Sequence, residues 1–128
     1  MWVQYNANPE KRSTGDCVIR AISLAMDQSW DETYMGVAME GLRLADMPEK
    51  NHVWGAYLRR HGFRRDIIRA RCPECYTVRD FCREFPIGVY ILAIDGHVVC
   101  VIDGDYYDSF DSGDEVPIYY WRKENVRQ

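Results

Sequence analysis

The hydrophobic period of this chain changes at Pro86, and that change restricts the folds open to it. Beyond the proline, IGVYILAI, HVVCVI, YYDSF and VPIYYW are short runs rich in β-branched and aromatic residues, the composition of strands. Asp95-Gly96 and Asp103-Gly104 separate the first three runs, and Asp-Gly is a strong two-residue hairpin signal. The segment FRRDIIR, residues 63–69, is a further candidate strand. Before the proline the spacing is helical. Val18, Ala21, Ile22, Ala25 and Met26 form one stripe of a helix starting near Gly15, with Thr14 and Asp16 as candidate caps. Ser29 followed by Glu32 is a capping box for a second helix, with Trp30, Tyr34, Val37, Ala38, Gly41 and Leu42 on one face. A third, roughly Asn51 to His61, buries Val53, Trp54, Tyr57 and Leu58, and Gly62 is placed to end it. Thr77 with Asp80 opens a short fourth helix. The expected fold is therefore α+β, with N-terminal helices packed on a C-terminal antiparallel sheet.

Length and composition narrow the class. The 128 residues, 47% of them apolar, suit one domain spanning 1–128 with a real core. The N-terminal MWVQYNANPEKR lacks the apolar stretch of a secretory signal, and no run of about 18 apolar residues could span a bilayer. A cytoplasmic protein without membrane contact is expected. Five cysteines, an odd count without a signal, argue against a disulfide framework.

Two of the residues that carry chemistry stand at element starts. Cys17 lies in the first turn of an otherwise apolar helix, where free backbone N–H groups and the helix dipole favour the reactive thiolate. Its own amide is placed to help bind an oxyanion. His97 opens a strand directly after a hairpin turn. Alternation puts His97, Val99 and Val101 on one face. With a two-residue loop at Asp103-Gly104, Ile102 pairs with Asp105, Val99 with Asp108 and His97 with Phe110. Asp108 is then the diagonal neighbour of His97 on the same face, roughly 7–8 Å away between backbones and within side-chain reach. Only an odd loop would favour Asp105 or Asp111. A thiol that must lose a proton, an imidazole that takes it and a carboxylate that fixes the tautomer form a coherent set.

The order of these parts, cysteine helix, histidine strand and aspartate on the adjoining strand, resembles the papain-like cysteine-peptidase superfamily. GHVVCVIDGDYYDSFDSG is similar to the His–Asp hairpin of the double-glycine leader peptidases of bacteriocin exporters. GDCVIRAIS resembles the cysteine segment of ovarian-tumour-type deubiquitinases, and the whole chain looks like small uncharacterised proteins of bacteria and their phages. The specific likeness covers residues 14–26 and 96–112. It implies a papain-like fold, a peptide or protein substrate, and Cys17 as nucleophile, His97 as general base and Asp108 as orienter. Val18 follows the cysteine where the leader peptidases usually carry glycine. No glutamine stands a few residues upstream to complete an oxyanion hole, so Asn8, Asn6 and Gln4 are the substitute amides. No cofactor is called for.

Other patterns point elsewhere. Arg59, Arg60, Arg64, Arg65, Arg69 and Arg71 crowd one segment, whereas Asp103, Asp105, Asp108, Asp111, Asp114 and Glu115 crowd another. The arginine segment 59–71 suggests an acidic partner or a solvated face. The net charge of −4 and the lack of interleaved aromatics argue against nucleic acid. A non-catalytic protein-binding or nucleic-acid-binding regulatory module using that segment is the alternative to an enzyme. Cys72-Pro-Glu-Cys75 has the spacing of a zinc knuckle but lacks an evident second pair of ligands, so a turn without metal is expected. DGDYYDSFDSGDE fails the calcium-loop pattern at its fifth and sixth positions and reads as a charged hairpin.

Overall fold

A computed structural model describes residues 1–69 and 76–124. Ten elements follow in chain order: β1 (Trp2–Gln4), α1 (Cys17–Ala25), α2 (Trp30–Leu44), α3 (Asn51–Arg60), β2 (Phe63–Ile67), α4 (Val78–Glu84), β3 (Val89–Ile94), β4 (His97–Ile102), β5 (Asp105–Asp108) and β6 (Pro117–Lys123). The strands form one sheet in the order β1-β5-β4-β3-β6-β2. Mixed α+β architecture thus follows the sequence expectation, with one correction. The sheet is mixed rather than antiparallel, because β1 joins the β5 edge in parallel, with Gln4 opposite Asp108. Three residues with two exposed side chains carry too little pattern to be read as a strand.

Helices cover both faces of the sheet, not one. On the first face Ile19, Ala21, Ile22 and Ala25 of α1 meet Trp54, Tyr57 and Leu58 of α3, together with Ile91, Ala93, Val98, Cys100 and Trp121 from the strands. On the second, Val78, Phe81 and Cys82 of α4 meet Tyr90, Leu92, Val99, Val101, Tyr106 and Tyr120. Successive residues of β3 and β4 therefore face different cores. That double burial explains why IGVYILAI and HVVCVI lack polar alternation.

Local signals set the joints. Ile94 pairs with His97 and Ile102 with Asp105, so both Asp-Gly turns make two-residue loops. Asp103 (φ 49°) and Gly104 (φ 82°) both adopt the left-handed conformation such a turn demands. Thr77 and Asp80 close a reciprocal capping box on α4. Asp16 precedes α1 but makes no side-chain cap, against expectation, because its carboxylate is drawn into the protein. α2 also departs from its predicted face. Tyr34 (52% exposed) and Leu42 (73%) point outward, while Thr33, Val37, Glu40 and Gly41 are buried. Glu40 turns inward because Arg60 grips both its oxygens at 3.0 Å and Arg43 donates at 3.1 Å.

Ile22 is fully buried at the centre of α1, the helix that carries Cys17. Truncation to alanine there should cost about 2–5 kcal/mol of unfolding free energy, against roughly 0.5 or less for Ile118→Ala at an exposed position. Denaturant titration of the two variants distinguishes them, and equal midpoints would contradict this packing.

Candidate active site

Cys17 is the first residue of α1, half-buried, with no acidic residue in the helix's first turn. The amides of that turn have no intrahelical acceptor. His97, the first residue of β4, follows the Asp95-Gly96 turn and stands at the end of the sheet. Its Nε2 lies 2.6 Å from Asp108 Oδ2, a hydrogen bond from the ring to the carboxylate. Nε2 is thereby occupied, and Nδ1 is the nitrogen left for the thiol. The ring and the thiol are near enough for each to shift the other's proton affinity. Phe110 lies beside the imidazole, with ring centroids 5.0 Å apart.

Asp108 is held as an acceptor. Its Oδ2 also receives the Ser112 hydroxyl at 2.7 Å, and Oδ1 receives the Ser109 amide at 2.8 Å. The Arg20 guanidinium stands 3.7 Å from Oδ1. The main-chain carbonyl accepts from the Tyr5 amide at 2.9 Å and the Trp2 indole at 3.1 Å, which ties β1 to this corner. With 2% exposure, Asp108 is a buried carboxylate with every oxygen engaged. Asp105 and Asp111 lie elsewhere. Asp105 faces the N-terminal ammonium at 3.4 Å, and Asp111 accepts from the Tyr106 hydroxyl at 2.5 Å. Strand parity, with an even loop, selects among the three.

Arg20 connects both halves of the site. From inside α1 it pairs with Asp16, one turn back, and reaches Asp108 across the gap to β5. Asp16 also accepts from the Trp30 indole at 2.9 Å and the Asn8 amide at 3.4 Å. The carboxylate next to Cys17 is thus neutralised by a buried arginine. Sequence reasoning passed over Arg20, Ser112 and Trp30. The Asp16–Arg20 spacing of four within an apolar helix was the available signal for the first.

The electrostatics follow from these contacts. Burial pushes the Cys17 thiol up, but the hydrogen bond and charge of His97, the Val98 amide and Arg20 outweigh it and bring the pKa below the ordinary thiol value. Burial likewise opposes the His97 imidazolium, yet hydrogen bonds and charge from Asp108 and Cys17 raise it to about 9. The two shifts together favour a thiolate–imidazolium pair. Elsewhere, burial raises Cys82 to about 11 and pushes Cys100 higher still, as expected of inert core thiols.

The upstream amides are placed differently from one another. Asn8 is buried, donates to Asp16 and accepts the amides of Glu10 and Arg12 at 2.8 and 3.3 Å, so it organises the loop before α1. Asn6 donates to the Arg12 carbonyl at 3.2 Å and accepts the Asn8 amide at 3.0 Å. Gln4 is exposed on β1. A cleft of about 440 Å³ beside the start of α1 is lined by Asn8, Asp16, Val18, Trp30, Tyr34 and Met47, among others. Cys72 and Cys75 lie outside the described residues. Among the described residues, no helix is long and apolar enough to cross a membrane. Comparison with protein-family models, curated proteins and solved structures finds no match for the chain.

Two outcomes follow. Thiolate absorbance of Cys17 should rise below the ordinary thiol pKa, and the His97 ring, followed by NMR, should stay protonated through neutrality and titrate near 9. A raised folded-state value means that the histidine's contribution to stability is full below its ordinary pKa of about 6.5 and is lost as pH climbs through about 9. Ring titration at the ordinary value would contradict the coupling. Separately, Arg20→Met leaves the buried Asp16 carboxylate without a cation and removes one of the two cations beside Asp108, and should cost about 3–5 kcal/mol. Adding Asp16→Asn should restore part of that loss in denaturant titration, and a purely additive double variant would refute the bridge.

Proposed function

We propose that the chain is a thiol hydrolase of the papain-like type that cleaves a peptide or isopeptide bond through an acyl-enzyme on Cys17. The observation that carries this reading is a single imidazole bonded on Nε2 to a buried aspartate and near enough to a helix-start thiol for each to shift the other's proton affinity. A core cysteine needs no such partner. The pairing also explains why a histidine whose burial works against its charge has a raised pKa.

The chemistry follows from the assigned roles. The Cys17 thiolate attacks the substrate carbonyl, forming a carbon–sulfur bond and a tetrahedral oxyanion. Amides at the start of α1, Cys17's own included, point at that charge. His97 donates its Nδ1 proton to the leaving amine as the carbon–nitrogen bond breaks, leaving a thioester. A water then attacks the thioester and gives its proton back to His97, and the acid product departs with the thiolate restored. Asp108 holds the ring with Nδ1 toward sulfur and supports the imidazolium. Asn8 acts on the site through Asp16 and the loop before α1.

A peptidyl electrophile, such as a peptide aldehyde or acyloxymethyl ketone, should form one adduct per chain, on Cys17. Hydrolysis of a pooled fluorogenic peptide and isopeptide library should disappear in Cys17→Ala and fall by about 10²–10⁴ in His97→Ala. Asp108→Asn should reduce it by less, and Asp111→Asn should leave it nearly unchanged. An intact, folded chain that forms no adduct and hydrolyses no library member would refute the proposal. In that case the chain would stand as a binding module on the same scaffold.

A further inference from the structure

The arginine segment contains a second arrangement that the thiol site does not use. Arg60 is committed to Glu40, and Arg64 to Glu124 at 3.0 Å and Asp66 at 3.7 Å. Arg59 and Arg65 have no carboxylate partner among the described residues. Each lies on an aromatic face instead, Arg59 5.2 Å from the Trp121 ring centroid and Arg65 4.1 Å from that of Tyr119.

Topology brings them together. Arg65 pairs with Trp121 across β2 and β6, and alternation puts Tyr119 on the same sheet face. α3 lies over that face. Asn51, Gly55 and Arg59, spaced by four, share the side of the helix that meets it. Gly55 permits the close approach, since a Cβ there would sit 2.9 Å from Trp121 Cζ2. These six residues line a cavity of about 290 Å³, with His52 at its rim held by Asp46 at 2.9 Å.

The donors in this cavity outnumber their acceptors. Trp121 is 2% exposed, and its indole N–H has no hydrogen-bond partner. Gly55 meets the Cζ2–Cη2 edge of that ring, so the indole forms one wall of the cavity. Asn51 uses its carbonyl oxygen for the Trp54 indole at 3.2 Å, which leaves its NH₂ as a donor. Both guanidiniums lie over aromatic rings, and their N–H groups have no carboxylate acceptor among the described residues. A ligand complementary to two guanidiniums without carboxylate partners and an amide NH₂ is rich in acceptors and negatively charged. We propose that this cavity is a binding site for a small oxyanion, a phosphoryl or carboxylate group, at a place separate from Cys17 and independent of its chemistry.

The indole N–H is a direct reporter. In ¹⁵N-labelled protein the Trp121 indole signal is identified by its loss in Trp121→Phe. Inorganic phosphate and glutarate are titrated separately at constant ionic strength, so that general screening does not contribute. The Trp121 signal should shift saturably with at least one of them, and the one that saturates identifies the source as phosphoryl or carboxylate. Arg59→Ala and Arg65→Ala, both at exposed positions, should each weaken binding by about tenfold while the remaining spectrum stays native. Arg59→Lys and Arg65→Lys should weaken it too, because a point charge does not reproduce the fork. No saturable shift with either anion, or a shift that persists undiminished in both alanine variants, would overturn the proposal.

Discussion

The buried bridge from Asp16 through Arg20 to Asp108 is the interaction on which the geometry of the candidate site depends. It joins the helix that begins with Cys17 to the hairpin that carries His97, two elements separated by most of the chain. A guanidinium suits that place because its planar fork serves two carboxylates at once and stays charged in the interior. Charge balance supplies the second reason. An isolated aspartate beside Cys17 would oppose the thiolate, and an isolated Asp108 would be costly to bury. With Arg20 between them, both carboxylates remain useful, one ordering the loop before α1 through Asn8 and Trp30, the other holding the imidazole. Buried arrays of this kind are satisfied together or not at all, and here the aspartates find hydrogen bonds on both sides.

The sheet makes such precision possible. Two Asp-Gly hairpins set the register from β3 through β5 without adjustable loops, so the positions of His97 and Asp108 follow from counting residues. Double burial of β3 and β4 fixes that register, because a slip of one residue would exchange two cores. The parallel β1 strand covers the β5 edge and places Trp2 and Tyr5 on the carbonyl of Asp108. An edge is thereby protected, and the aspartate's backbone is secured by Trp2 of that strand and by Tyr5 just after it.

Much of this was legible in the residues, and the exceptions have physical causes. Strand parity and turn chemistry carried the His97–Asp108 contact, since both are local rules with few alternatives. Capping residues at Ser29 and Thr77 marked helix starts for the same reason. Val37 and Gly41 of the expected α2 face are buried, but Tyr34 and Leu42 are not, because apolar spacing alone cannot anticipate that Glu40 turns inward toward Arg60 of α3, with Arg43 of its own helix joining the pair. Arg20 was passed over because a charged residue in a helix ordinarily faces water, and only the third dimension supplies its second carboxylate. β1 escaped notice because its pairing is long-range. Asp16 fits a cap by type, yet competition from a buried arginine and an indole took its side chain away.

The central claim is that Cys17 and His97 form one reactive unit. Its most direct measurement is the rate of iodoacetamide alkylation at each cysteine from pH 5 to 10, resolved by peptide mass spectrometry, in wild type and His97→Ala. Cys17 should react selectively, with a rate that survives to pH values below the ordinary thiol range, and removal of His97 should shift its profile upward and abolish the advantage. Equal, slow labelling of Cys17, Cys82 and Cys100 in wild type, unchanged by loss of His97, would contradict the account.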